Sequence, residues 1–250
     1  MYHNISNGFD FSFRSISKDL LKKHIKSLYG NKIRFFTNED IAQNTIFDGK
    51  DAVLITFDDA YEGVYNYALP VMEKYGVIGA VFIPAGYIGK FNSWDFSPFR
   101  GLKHMDKNML INLSKKGWII GSHGFNHVDL RKCSDKALKM EICDSKKLLE
   151  DLLGKRISLF AYPFGLYNKK VMDMVAECGY DYAFATATGI KRNRFAIRRM
   201  AVYFIDRSPL PLLNKKYCHM YLLRNRIVAS FASLTPLYKR LFGIGKVQCQ

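Results

Sequence analysis

The stretch Ala52 to Asp59, AVLITFDD, decides the fold. Its first six residues are apolar or β-branched without polar alternation, the pattern of a short strand covered on both faces. Such a strand belongs to a parallel sheet flanked by helices. Two adjacent carboxylates, Asp58 and Asp59, close it. Paired carboxylates at the end of an apolar strand are costly unless a cation neutralises them or one stays protonated, so they point to a metal or to proton transfer. An Asp pair that merely caps the next helix is the plainer alternative.

Outward from this strand the chain alternates. Upstream, Ser17 to Tyr29 places Leu20, Leu21, Ile25 and Leu28 on one face after a capping Ser, which predicts a helix. Downstream, Val64 to Tyr75 reads as helical around a Pro70 that should kink or break it, and Val77 to Ile83 as a second buried strand. Helices are predicted over Lys107 to Lys116, Ser134 to Leu153 and Lys169 to Cys178. Strands are predicted over Gly117 to Gly121, Ser158 to Tyr162 and Tyr182 to Thr186. This order implies an α/β fold with a parallel sheet, either a barrel or doubly wound. The economical division is one domain over residues 1–206 and an extension over 207–250.

In parallel α/β folds the chemistry gathers at strand C-termini, where the loops converge. The third strand runs into Ser122-His123-Gly124-Phe125-Asn126-His127. Two imidazoles four residues apart can reach one ion, and with Asp59 they make a set of three ligands that leaves a position open for water, as catalytic zinc sites do. The fourth strand ends Phe160-Ala161-Tyr162-Pro163-Phe164-Gly165. Pro163 and Gly165 enforce a tight turn, and the backbone N–H of Phe164 is then a donor able to face an oxyanion. Taken alone, that turn and the His pair also fit ordinary structural roles.

Together, in this order, the three motifs resemble those of the NodB-homology polysaccharide deacetylases, carbohydrate esterase family 4. Thr56 to Asp59 resembles the first motif, His123 to His127 the second and Phe160 to Gly165 a version of the third. The similarity extends over about residues 1 to 205, through Tyr2-His3, Leu69-Pro70, Asn92 to Asp95 and Gly117 to Leu130. It implies a distorted (β/α) barrel with about seven strands. It also implies a metal-dependent hydrolase that removes an N-acetyl or N-formyl group from an amino sugar in a polysaccharide or lipid-linked glycan precursor. By resemblance Asp58 is the general base, Asp59, His123 and His127 hold a divalent metal (zinc first, cobalt or nickel next), and Phe164 is the oxyanion donor. Arg199 resembles a barrel-terminal Arg that contacts the base or the substrate.

The chain departs from the family at three places. Ala60 stands where a Gly is usual, Ala161 stands near the usual position of an Arg that orients the base, and no late His matches the usual general acid. His219 sits in the wrong context. Either Asp58 returns its proton to the leaving amine, or Asp95 or His3 serves. The missing acid keeps a second reading open, that of a catalytically silent glycan-binding barrel.

Composition bears on partners. Of 250 residues, 48% are hydrophobic and 24% charged, which excludes a disordered chain. The formal net charge is +16, and from Lys191 onward thirteen basic residues meet a single acid, Asp206. Residues 214–250 interleave that charge with aromatic and aliphatic groups, which suits an anionic membrane surface as well as a helix packed on the barrel. Nucleic acid is disfavoured because no nucleic-acid motif accompanies the charge. Five widely spaced cysteines without CxxC read as reduced and mostly buried. With neither a basic, apolar leader nor an 18-residue apolar run, the expected location is the cytoplasm or the inner face of a membrane.

Overall fold

The computed structural model describes residues 1–8, 15–43, 52–94, 101–186, 193–213 and 223–224. Ten short strands are described: β1 (Asn4–Ser6), β2 (Ser15–Ser17), β3 (Arg34–Phe35), β4 (Ala52–Val53), β5 (Ile55–Phe57), β6 (Gly79–Ile83), β7 (Ile119–Ser122), β8 (Leu159–Ala161), β9 (Tyr182–Ala185) and β10 (Ile197–Arg198). Strands β5 to β10 form one six-stranded sheet in sequential order, every neighbouring pair parallel. The α-helices are α1 (Lys18–Gly30), α2 (Asn38–Ala42), α3 (Leu69–Glu73), α4 (Lys107–Lys115), α5 (Asp135–Lys139), α6 (Ser145–Leu153), α7 (Lys169–Glu177) and α8 (Leu210–Leu213).

The sheet is curled and both of its faces are filled. Alternate residues Ala80, Phe82, Ile119, Leu159, Ala161, Tyr182 and Phe184 pack together inside the curl. Their neighbours Phe57, Val81, Ile83, Ile120, Phe160 and Ala183 face the helices. This two-sided burial is why the strands read as unbroken apolar runs. Gly121 is required inside, since a Cβ there would stand 2.5 Å from the ring of Phe82.

Six strands carry the sheet, and backbone hydrogen bonds to residues 1–2 supply the seventh position that the resemblance implies. Tyr2 pairs with Phe57 in parallel. The Tyr2 N–H donates to the Thr56 carbonyl at 2.8 Å and the Asp58 N–H to the Tyr2 carbonyl at 2.9 Å. On the other side, the Met1 nitrogen donates to the Met200 carbonyl at 2.8 Å and the Val202 N–H to the Met1 carbonyl at 2.9 Å. These bonds join the β5 edge to the segment after β10, closing the distorted barrel. A largely apolar cavity of about 260 Å³, bordered by Met1, Ile55, Phe184 and Val202, lies along this seam.

Local chemistry explains the helix boundaries. Ser17, Thr37, Asp106, Ser134 and Asn168 each accept a backbone N–H in the first turn of the helix that follows. The predicted break at Pro70 is a change of helix type, a π-turn over Val64–Ala68 that passes into α3. The predicted helix Ser134 to Leu153 is continuous but likewise carries a π-turn, Met140–Asp144, between α5 and α6.

One expectation is corrected. Cys143 in that π-turn and Cys178 after α7 form a disulfide, so they are not reduced thiols. Pairing across 35 residues of sequence follows from the packing of α7 beside the turn, a proximity that spacing alone does not reveal. Cys133 is buried, with its thiol 3.9 Å from the Asp129 carbonyl. No helix among the described residues is long and apolar enough to cross a membrane.

Candidate active site

Asp58 and Asp59 follow β5 directly and are both buried. The turn that carries them is strained: Asp59 has φ 68° and Ala60 φ 51°. Two successive left-handed residues cost roughly 1–2 kcal/mol each when they are not glycine. Residues 103–105 hold the turn in place. The Met105 N–H donates to the Ala60 carbonyl at 2.8 Å, the Glu62 N–H to the Lys103 carbonyl at 2.9 Å, and His104 Nδ1–H to the Asp59 carbonyl at 2.5 Å. The left-handed conformation at position 60 is one that favours glycine, and these hydrogen bonds hold Ala60 in it.

The loop after β7 brings the two histidines to Asp59. His127 Nε2 lies 3.3 Å and His123 Nε2 3.7 Å from the same carboxylate oxygen. The three ligand atoms fall within 4.8 Å of one another and all three residues are buried. His123 Nδ1 sits 2.7 Å from the Ala161 carbonyl, which can only accept, so Nδ1 carries a proton and Nε2 is the nitrogen turned toward Asp59. A backbone partner on the far nitrogen is how metal-binding imidazoles are usually oriented. Two imidazoles and one carboxylate at this spacing fit a catalytic divalent ion.

Asp58 faces the other way, into the barrel, where Arg199 meets it with two bonds, Nη1 to Oδ1 at 2.6 Å and Nη2 to Oδ2 at 2.8 Å. The guanidinium rests over Phe82 and Phe184, 5.1 and 5.8 Å from their centroids. Burial pushes the Asp58 pKa up. The Arg199 charge opposes this, joined by His123, by the Arg199 hydrogen bonds and by His3, and together they hold the group down at about 2. Arg199 is therefore the cation that holds the Asp58 carboxylate. It follows β10 directly, the barrel-terminal position that the resemblance implies.

The third motif forms a short turn, Pro163–Gly165, with Phe164 left-handed at φ 58°. A Cβ on Gly165 would stand 2.2 Å from Thr186 Oγ1, so glycine is obligatory in this packing. The Phe164 ring meets His127 edge-on at 4.5 Å, and Trp94 stacks on His127 at 4.1 Å and 19°. His3 is half-buried near Asp58. Asp95 and His219 lie outside the described residues. Sequence reasoning passed over His104 and Glu141. Both are buried polar residues whose partners lie far along the chain, so no local sequence signal marks them.

A curled parallel barrel whose strand ends present Asp, His and His beside an ionised Asp is the architecture of a hydrolase of the carbohydrate deacetylase class. The polysaccharide deacetylase family model matches residues 47–183, and the chain belongs to that family. YxkH of Bacillus subtilis (strain 168) is 27% identical over 208 residues, covering 81% of this chain and 70% of its own. The poly-β-1,6-N-acetyl-D-glucosamine N-deacetylase of Staphylococcus aureus (strain NCTC 8325 / PS 47) is 27% identical over 202 residues, 73% of this chain and 67% of its own. Among solved structures, the Streptococcus pyogenes deacetylase PplD superposes with a TM-score of 0.71 at 21% identity, over 89% of this chain and 96% of that one. IcaB from Ammonifex degensii gives 0.67 at 19%, over 88% and 94%.

Proposed function

We propose that this chain is a metal-dependent N-deacylase acting on an amino sugar within a glycan, removing acetyl, with formyl the next candidate. The observation that carries the reading is the buried cluster of Asp59, His123 and His127, with ligand atoms within 4.8 Å, beside an Asp58 held ionised by Arg199. The S. aureus relative is named for poly-β-1,6-N-acetyl-D-glucosamine, which supports an N-acetylated amino-sugar polymer as the substrate class.

The donor set suits zinc first, then cobalt or nickel. Asp59, His123 and His127 would hold the ion, which would supply Lewis acidity and lower the pKa of a bound water. Asp58 accepts the proton of the attacking water as oxygen adds to the acyl carbon. The Phe164 N–H donates to the oxyanion that develops there. Arg199 keeps Asp58 oriented throughout. When the C–N bond breaks, Asp58 hands the proton to the departing amine, with His3 the alternative donor, and the acid and free amino sugar separate.

Acetate release from β-1,6-linked N-acetylglucosamine oligomers tests the reading. We expect release that stops on chelation and returns with added zinc. A zinc-loaded chain that binds the oligomers without releasing acetate would instead favour the silent glycan-binding barrel.

Where the enzyme works is the second part of the proposal. The basic C-terminal quarter supports an anionic membrane surface and a lipid-linked glycan substrate. Most of residues 214–250 lies outside the described residues. Arg224, which is described, pairs with buried Asp206 and donates to the Ala201 carbonyl at 3.1 Å, so part of this segment packs on the barrel. The Cys143–Cys178 bond favours an oxidising compartment over the cytoplasm, because disulfides persist where thiols are not kept reduced.

A further inference from the structure

Glu141 is buried, lies in the middle of a helix and takes no part in the chemistry above. Its carboxylate is spent on the loop that carries the two histidines. Oε2 accepts the backbone N–H of Phe125 at 2.8 Å and of Asn126 at 2.9 Å, and Oε1 accepts Asn126 Nδ2 at 2.8 Å. Two consecutive N–H groups converging on one oxygen make an anion-binding concavity of backbone. Bonds of this kind to an ionised acceptor are stronger than neutral ones.

The loop needs such a hold. Gly124 has φ 79° and His127 φ 54°, and the second is a left-handed histidine, an uncommon conformation that persists where surroundings enforce it. A Cβ on Gly124 would stand 3.1 Å from Glu141 Oε2, so the glycine and the carboxylate are fitted to each other.

The π-turn that presents Glu141 is itself tied down. The Ile142 carbonyl accepts both Tyr180 Oη and Ser145 Oγ at 3.0 Å, and the next residue, Cys143, is bonded to Cys178. A π-turn inserts one residue into a helix and so re-aims one side chain. Here the side chain it delivers to the loop is Glu141.

We propose that Glu141 is the positioning residue of the candidate metal site, its carboxylate fixing the loop from His123 to His127 so that both imidazoles meet Asp59. This rests on the metal-site reading above. The test uses the full chain and reads divalent-ion affinity directly, by competition of zinc against a chromophoric chelator, with the visible spectrum of the cobalt form reporting coordination. Glu141→Ala should bind zinc about 10- to 100-fold more weakly, the range typical when a group supporting a metal ligand is lost. Its cobalt spectrum should be altered, and saturating zinc should recover much of kcat with KM unchanged.

Glu141→Gln keeps an acceptor oxygen and should fall between wild type and Glu141→Ala. If Glu141→Ala does not fold, Glu141→Gln decides: weakened binding supports the proposal and wild-type affinity overturns it. Wild-type affinity and spectrum in a folded Glu141→Ala would remove this inference alone. A wild-type chain that binds neither zinc nor cobalt would remove the metal reading and this inference with it.

Discussion

At the scale of single residues the site depends on opposed influences at Asp58. Its folded pKa of about 2 lies below the ordinary 3.8, so the ionised carboxylate adds stability that is complete above the ordinary value and lost as pH falls toward 2. The same depression predicts no activity limb belonging to Asp58 near pH 4. Arg199→Lys keeps a positive charge but not the paired geometry, forfeiting a charge-assisted bond worth about 1.5–3 kcal/mol. Burial then gains ground, so Asp58 should titrate higher. A pH–rate profile of this variant should show kcat/KM reduced on the order of tenfold or more and an acid limb moved upward. A second prediction concerns Ala60. Since φ 51° suits glycine, Ala60→Gly should leave activity intact and raise stability by up to about 1 kcal/mol in a urea titration. Asp58, Asp59, His123 and His127 were legible in the sequence because a strand end and a four-residue spacing are local signals. The resemblance pointed to Arg199 as a contact of the base or the substrate, but its paired bonds to Asp58 across 141 residues are a matter of the fold and follow from no spacing in the sequence.

At the scale of elements, apolar runs located the five strands β5 to β9, and helical periodicity located α1, α4, the helix from α5 to α6 and α7, with a capping Ser marking the start of α1. Those signals are physical requirements of burial on two faces and of unsatisfied N–H groups, so they survive into the structure. What they could not indicate was the one-residue insertion at Met140–Asp144. A helical periodicity tolerates such an insertion without visible change, and its cause lies in distant partners such as Tyr180, Cys178 and the His-bearing loop. The disulfide was missed for the same reason. It closes a loop of 35 residues, which in the chain-entropy account is worth roughly 3–4 kcal/mol. Thermal melts with and without reductant should therefore show a lower Tm for the reduced protein or for Cys178→Ser. Equal melting temperatures would show that the bond does not stabilise the fold.

At the scale of the whole molecule, the barrel closes through residues 1–2, which hydrogen-bond to β5 on one side and to the chain after β10 on the other. Nothing in so short a segment announces that role, although the family resemblance already implied about seven strands. The net charge of +16 divides evenly, +8 on residues 1–206 and +8 on the much shorter, acid-free extension 207–250. If that charge serves a membrane surface, the full chain should float with anionic vesicles and remain unbound to neutral ones. Replacing Lys215, Lys216, Arg226, Lys239 and Arg240 by Glu should abolish flotation while acetate release from soluble oligomers persists. Equal flotation of both proteins would remove the membrane role. The central claim is tested most directly by acetate release from N-acetylglucosamine oligomers by zinc-loaded Asp58→Asn, which replaces the proposed base and leaves Asp59, His123 and His127 in place. The account predicts a fall of about 10²- to 10⁴-fold relative to wild type, the usual worth of a positioned acid–base group; release within a few-fold of wild type would contradict it.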